Sequence, residues 1–159
     1  MRLFSALRPP AEVAAEVAAA LGEGGPGLRW SEPGGWHVTL AFYGEADPAE
    51  RVAFLREALA GRPPVEVRLG AAGTFPGVLW LAAGGAGLAE LAEAAGAGAA
   101  RPYRPHLTLA RFPPDRGPGE WPARLAGFAG SPWSAGRVVL MASGGGRYRE
   151  VAAFPLHRA

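Results

Sequence analysis

The chain has 159 residues, 49% of them hydrophobic and 19% charged, which suits one folded domain or two small lobes with a real core. It contains no cysteine, which excludes disulfides, thiol nucleophiles and thiolate metal sites. All 16 basic residues are arginine, so Schiff-base chemistry and a lysine-bearing phosphate loop are excluded, and the formal charge of +2 is only a weak sign of an anionic partner.

The amino terminus, "MRLFSALRPP", reads directly into a strand over residues 2–7 that Pro9-Pro10 stop, rather than into the apolar core of a signal peptide. No uninterrupted apolar run is long enough to span a bilayer, and a cytoplasmic protein is expected. "AEVAAEVAAAL" (11–21) has the residues of a helix, ended by the glycines of "GEGGPG". "LRWSEPGG" leads into a strand over 36–43, "WHVTLAFY". A regular strand puts His37 and Thr39 on one face and Trp36, Val38, Leu40 and Phe42 on the other. Tyr43 then shares the His37 face, and Phe42 belongs to the core.

"DPAERVAFLREALAG" (47–61) is a helix: Asp47 caps it, Pro48 suits its first turn and Gly61 ends it. "PVEVRLGAAGTF" (64–75) and "GVLWLAAG" (77–84) alternate like a strand pair, and "AGLAELAEAAGAGAA" (86–100) is a helix candidate. "HLTLARF" (106–112) is a strand, "PPDRGPG" a surface loop, and "GEWPARLAGFA" a short helix candidate. Strands over 136–143 and 148–157 complete the chain. Each half mixes strands and helices around one strand of the same local pattern. A duplicated α+β unit, with two lobes facing a cleft, explains this economically.

The repeat "HVTL" (37–40) and "HLTL" (106–109) is the most informative feature. One His-x-Thr in a strand is more often a hydrogen-bonded surface pair than a catalytic one. If Ser and Thr make up roughly a tenth of ordinary sequence, two such pairs by coincidence is about a one-in-a-hundred event. Two histidines offer chemistry that needs no lysine, thiol or carboxylate. One copy, neutral near pH 7, takes a proton from water while the other, protonated, gives one to a leaving oxygen. The threonine hydroxyls can donate to non-bridging phosphoryl oxygens. The set suits opening of a phosphodiester without a metal. His157 could join the pair in a metal site, but a nearby carboxylate or tighter histidine spacing is missing, and it reads as a terminal surface residue.

The motif pair resembles the H-x-[ST]-x signature of the two-histidine (2H) phosphoesterase superfamily, and in particular its RNA 2′,3′-cyclic phosphodiesterase branch, the 2′–5′ RNA ligase-like proteins. The likeness begins at "RLFSAL", runs through "WHVTLAFYGE" and "RPYRPHLTLARF", and ends at "VVLMASGGGRYREVAAFPL". It implies an α+β chain, residues 1–159, folded as one two-lobed domain with antiparallel sheets facing a central cleft and helices outside. It also implies hydrolysis of RNA or nucleoside 2′,3′-cyclic phosphate ends to 2′-phosphates, with no cofactor or metal. On this model His37 matches the proton donor to the departing 3′ oxygen and His106 the proton acceptor that activates water. Thr39 and Thr108 match the phosphate-binding hydroxyls.

Arg111 matches a family arginine that pairs with phosphate or nucleotide. Strict alternation, however, sets it with Leu107 and Leu109, opposite His106. A bulge or the strand's end would turn it to the cleft; otherwise it is a surface arginine. Phe4 and Tyr43 are candidates for stacking on a base, Phe4 by resemblance only. Arg101, Arg104 and Arg147 either line a positive rim or are solvated surface. The competing function class is a module that binds RNA ends or nucleotides in the same cleft without turning them over. The expected partners are RNA 2′,3′-cyclic phosphate termini or small cyclic nucleotides, met by a monomer away from membranes.

Overall fold

Arg2–Leu7 forms strand β1 and Ala11–Leu21 helix α1, in a computed structural model that describes residues 1–98, 100–145 and 147–157. Arg29–Trp30 (β2) and a 3₁₀ turn at Pro33–Gly35 precede Val38–Glu45 (β3), the strand of the first motif. Pro48–Ala58 (α2) follows, and the Asp47 side chain accepts from the Glu50 amide as its cap. Val65–Phe75 (β4) and Val78–Gly84 (β5) form the expected pair. The helix expected over 86–100 is shorter, Leu88–Ala94 (α3), because Gly96 at φ 101° turns the chain; Ala99 lies outside the described residues. His106–Arg111 (β6) carries the second motif. Trp121–Arg124 (α4), Trp133–Ala135 (β7), Arg137–Gly144 (β8) and Arg147–Pro155 (β9) complete the order.

The α+β class with an antiparallel sheet is as expected. The strands do not divide into two sequential halves, however. One sheet runs β7-β4-β5-β6-β3-β1-β8-β9, with β2 added against β6. The two motif strands are neighbours at the centre, with three strands outward on either side. The side that holds β3 is built from the first and last strands of the chain, and the side that holds β6 from the middle ones.

The face toward the helices carries the main core, including Leu7, Val38, Leu40, Leu81, Leu107, Leu109 and Leu140. A smaller apolar group, Phe4, Ala6, Val139 and Met141, lies apart from it on the other face of β1 and β8. Alternation along β1 explains the split: residues 3, 5 and 7 face one way, 4 and 6 the other. No helix among the described residues is long and apolar enough to cross a membrane.

Both motif strands carry a bulge at the same place. Ser5 pairs with Ala41 and Ala6 with Thr39, leaving Leu40 without an opposite residue. Likewise Leu79 pairs with Ala110 and Trp80 with Thr108, leaving Leu109 unpaired. In each "TLA" the leucine and the alanine both point into the core and are at most 3% exposed. The extra residue reverses the alternation beyond it. Phe42 and Arg111 are thereby equivalent positions, each turned to the face that its own strand's histidine and threonine share.

Candidate active site

The strands β3 and β6 touch at one antiparallel pair, Val38 with Leu107. One residue to either side, that register sets His37 opposite Thr108 and Thr39 opposite His106. The four polar residues thus form two crossed His–Thr pairs in the middle of the sheet. The histidines stand at strand mouths rather than inside strands: His37 immediately precedes β3 and His106 opens β6.

Each imidazole is held in the same way. His37 Nδ1 lies 2.7 Å from the Gly35 carbonyl oxygen, and His106 Nδ1 lies 2.7 Å from that of Arg104. A carbonyl only accepts, so both Nδ1 atoms carry the proton and donate. In the neutral rings the lone pair is therefore on Nε2, and in the protonated rings Nε2–H is the donor left over. Two matched Nε2 atoms are what paired proton transfer requires.

Aromatic rings frame both histidines. Phe4 and Tyr148 lie 4.8 and 5.1 Å from His37, centroid to centroid. Phe75 and Trp80 lie 5.0 and 6.1 Å from His106. Burial pushes the His37 pKa down; the Gly35 hydrogen bond opposes this, and the charges of Arg8 and His106 add to the lowering. Arg8 also donates to the Gly34 carbonyl and pairs with Glu150 at 3.5 Å, tying β9 to the turn that holds His37. The Tyr103 hydroxyl donates to the Thr39 carbonyl at 2.6 Å, and burial pushes its pKa up.

The bulges correct the regular-strand reading. Phe42 is not core: it is 76% exposed, beside Phe4 at 5.8 Å, on the wall of a cavity of about 760 Å³ that also touches Thr39 and His106. Tyr43 is turned away from the His37 face. It packs against the main core, donates to the Ala95 carbonyl at 2.6 Å and meets Ser5 Oγ at 2.9 Å. That placement leaves it no open face for a base. Arg111 takes the opposite correction and shares the face of His106 and Thr108. Phe4 is buried, 3% exposed, and packs between His37 and Phe42 rather than presenting an open ring face.

Arg101 and Arg104 line the cavity; Arg147 is exposed at the start of β9. His157 is exposed, its amide bonded to the Arg62 carbonyl. Among the described residues no group of three or more His, Asp or Glu side chains is placed to hold a metal ion. Tyr148 and Arg8 escaped the sequence reading because their tie to His37 depends on β9 folding back beside β8.

A model of the 2′-5′ RNA ligase superfamily matches residues 8–147, which include both motifs and both bulges. The chain belongs to the 2′-5′ RNA ligase superfamily. Solved structures of similar fold include TT0787 of Thermus thermophilus, at 27% identity and TM-score 0.81 over 99% of each chain. Escherichia coli LigT complexed with NADP+ matches at 28% identity and TM-score 0.74, over 99% of this chain and 98% of that one. LigT complexed with 3′-AMP matches at 27% identity and TM-score 0.70 over the same shares. A search of curated proteins gave no significant match. Superfamily membership agrees with the resemblance carried by the doubled motif.

Proposed function

We propose that this chain is a metal-independent cyclic phosphodiesterase that opens RNA or nucleoside 2′,3′-cyclic phosphate ends to 2′-phosphates. One observation carries the reading: two imidazoles, each fixed through Nδ1 on a backbone carbonyl, present equivalent Nε2 atoms across two threonines. The LigT complexes with NADP+ and 3′-AMP support a nucleotide as ligand.

In this mechanism neutral His106 accepts a proton from water through Nε2 as the water oxygen bonds to phosphorus. Imidazolium His37 gives its Nε2 proton to the departing 3′ oxygen as the P–O3′ bond breaks, and the phosphate remains on the 2′ oxygen. The assignment of donor and acceptor follows the family resemblance. Thr39 and Thr108 donate to the non-bridging oxygens, where negative charge grows in the transition state. Arg111, one row beyond Thr108, supplies a guanidinium to the substrate's phosphate groups. Phe42, exposed on the cavity wall, offers a face on which a base can stack, and the buried Phe4 backs it. His37 is hard to protonate in the free protein; an anionic phosphate beside it favours the charged form and arms it as the acid. The whole chain acts as one two-lobed catalytic unit, a cytoplasmic monomer.

The test is incubation with an RNA ending in a 2′,3′-cyclic phosphate, in excess EDTA, with products separated as 2′- or 3′-phosphates. Formation of the 2′-phosphate is expected. RNA bound tightly without product would leave a binding module, and activity lost in EDTA would overturn metal independence.

A further inference from the structure

The two-residue strand β2 places Arg29 directly opposite Arg111 on β6, and Trp30 opposite Ala110. Trp30 and Ala110 turn inward against the core, so the Arg29–Arg111 row faces the other way. On the far side of β6, Val78 continues this row, and Trp80 with Thr108 forms the next one. Trp80 packs toward His106, which identifies this face as that of the candidate catalytic residues. Both arginines are exposed. Among the described residues neither has an ion pair within 4.0 Å, the ion pairs there being those of Met1 with Glu45 and of Arg8 and Arg137 with Glu150.

Like charges directly opposite on neighbouring strands destabilise a sheet unless something neutralises them. Directly paired residues lie about 5 Å apart at Cα, so two guanidinium forks can grip one tetrahedral anion. Arg111 and Thr108 pair with Val78 and Trp80, so their rows lie two residues of β5 apart, about 7 Å at 3.3 Å per residue. The arginine doublet thus stands one row beyond the threonines that hold the reacting phosphate, a placement that suits a neighbouring phosphate on the same nucleotide.

We propose that Arg29 and Arg111 form a clamp for a second phosphate of the substrate, so that the site selects nucleotides bearing a 5′-phosphate or phosphodiester beside the cyclic one. This deepens the cyclic phosphodiesterase reading and rests on it. Arg29 is the specificity residue, since it stands off the motif strand and away from the reacting atoms.

The experiment compares three substrates: adenosine 2′,3′-cyclic phosphate, the same compound with a 5′-phosphate, and a 5′-hydroxyl dinucleotide ending in it. Wild-type kcat/KM is expected to be at least about tenfold higher on the second and third, whose relative rates tell a free 5′-phosphate from a diester. Arg29→Gln is expected to remove most of that preference, and Arg29→Lys to restore part of it. An unselective wild type, or a Gln variant that loses the same factor on all three, would overturn the clamp. Failure to turn over any of them would sink the hydrolase reading instead. Calorimetric binding of adenosine 2′-phosphate against adenosine 2′,5′-bisphosphate would then decide the clamp. Tighter binding of the bisphosphate, lost in Arg29→Gln, supports it; equal affinities reject it.

Discussion

His37 and His106 share a mode of support but not an environment, and this difference shapes two expectations. Replacing either imidazole by alanine removes one proton transfer; a loss of roughly 10²–10⁴-fold in kcat is expected for each, with the far-ultraviolet dichroism unchanged. Persistent turnover in either variant would reject the paired mechanism. Burial also makes His37 a source of pH-dependent stability. Its folded pKa lies below the unfolded value of about 6.5, so in that window the unfolded chain binds more protons. Its contribution is complete above the unfolded value and lost as pH falls toward the folded one. Between about pH 7.5 and 5 the melting temperature of the wild type should therefore fall further than that of His37→Gln. Equal falls would show that burial of this ring costs nothing. The histidines and threonines were legible in the sequence because both precede the bulge in their strand, where alternation still holds. Phe42, Tyr43 and Arg111 lie beyond it, and one unpaired leucine reverses the face of each.

At the level of elements, long strands and the capped helix α2 were readable from periodicity and from Asp47. Strands β2 and β7, of two and three residues, were not, since so short a run has no period. The consequence is local but functional: missing β2 hides Arg29. Strand β4 has a different kind of dependence. Gly73 pairs with Trp80, and a Cβ there would stand 2.3 Å from the indole ring. The ring lies over the glycine, and it also flanks His106. Gly73→Ala should therefore push Trp80 toward the cleft, costing about 1–3 kcal/mol of stability together with turnover. Trp80→Leu in the Gly73→Ala background should recover stability more fully than activity, because the space is relieved but the wall of His106 is not rebuilt. Thermal melts and steady-state rates on the two variants separate these effects. A neutral Gly73→Ala would mean that the indole has room to move.

For the whole molecule, strand order matters more than the repeat suggests. The "HVTL" motif is complete by residue 40, but its side of the sheet is closed by β8 and β9, about a hundred residues later. Strand β1 pairs with β8 from Arg2 with Ser143 to Ala6 with Val139, and their shared cleft face buries Phe4, Ala6, Val139 and Met141. Phe4 in turn packs on His37, and Glu150 of β9 holds Arg8, which reaches the Gly34 carbonyl. Removing the last two strands would leave β1 as an open edge, uncover that apolar group and take away Tyr148 and Glu150, the two supports that β9 gives the His37 turn. A chain ending at Gly136 would keep both histidines, both threonines and both bulges. It is nevertheless expected to lose a cooperative thermal transition and with it all turnover, because the two sides of the sheet are not separable in sequence. Contacts of such long sequence separation are also expected to make closure of this side of the sheet the slow part of folding. If the truncated chain melted cooperatively and still opened a cyclic phosphate, the His37 side of the sheet would have to be stable without its final strands, and the order of assembly drawn from the sheet would be wrong.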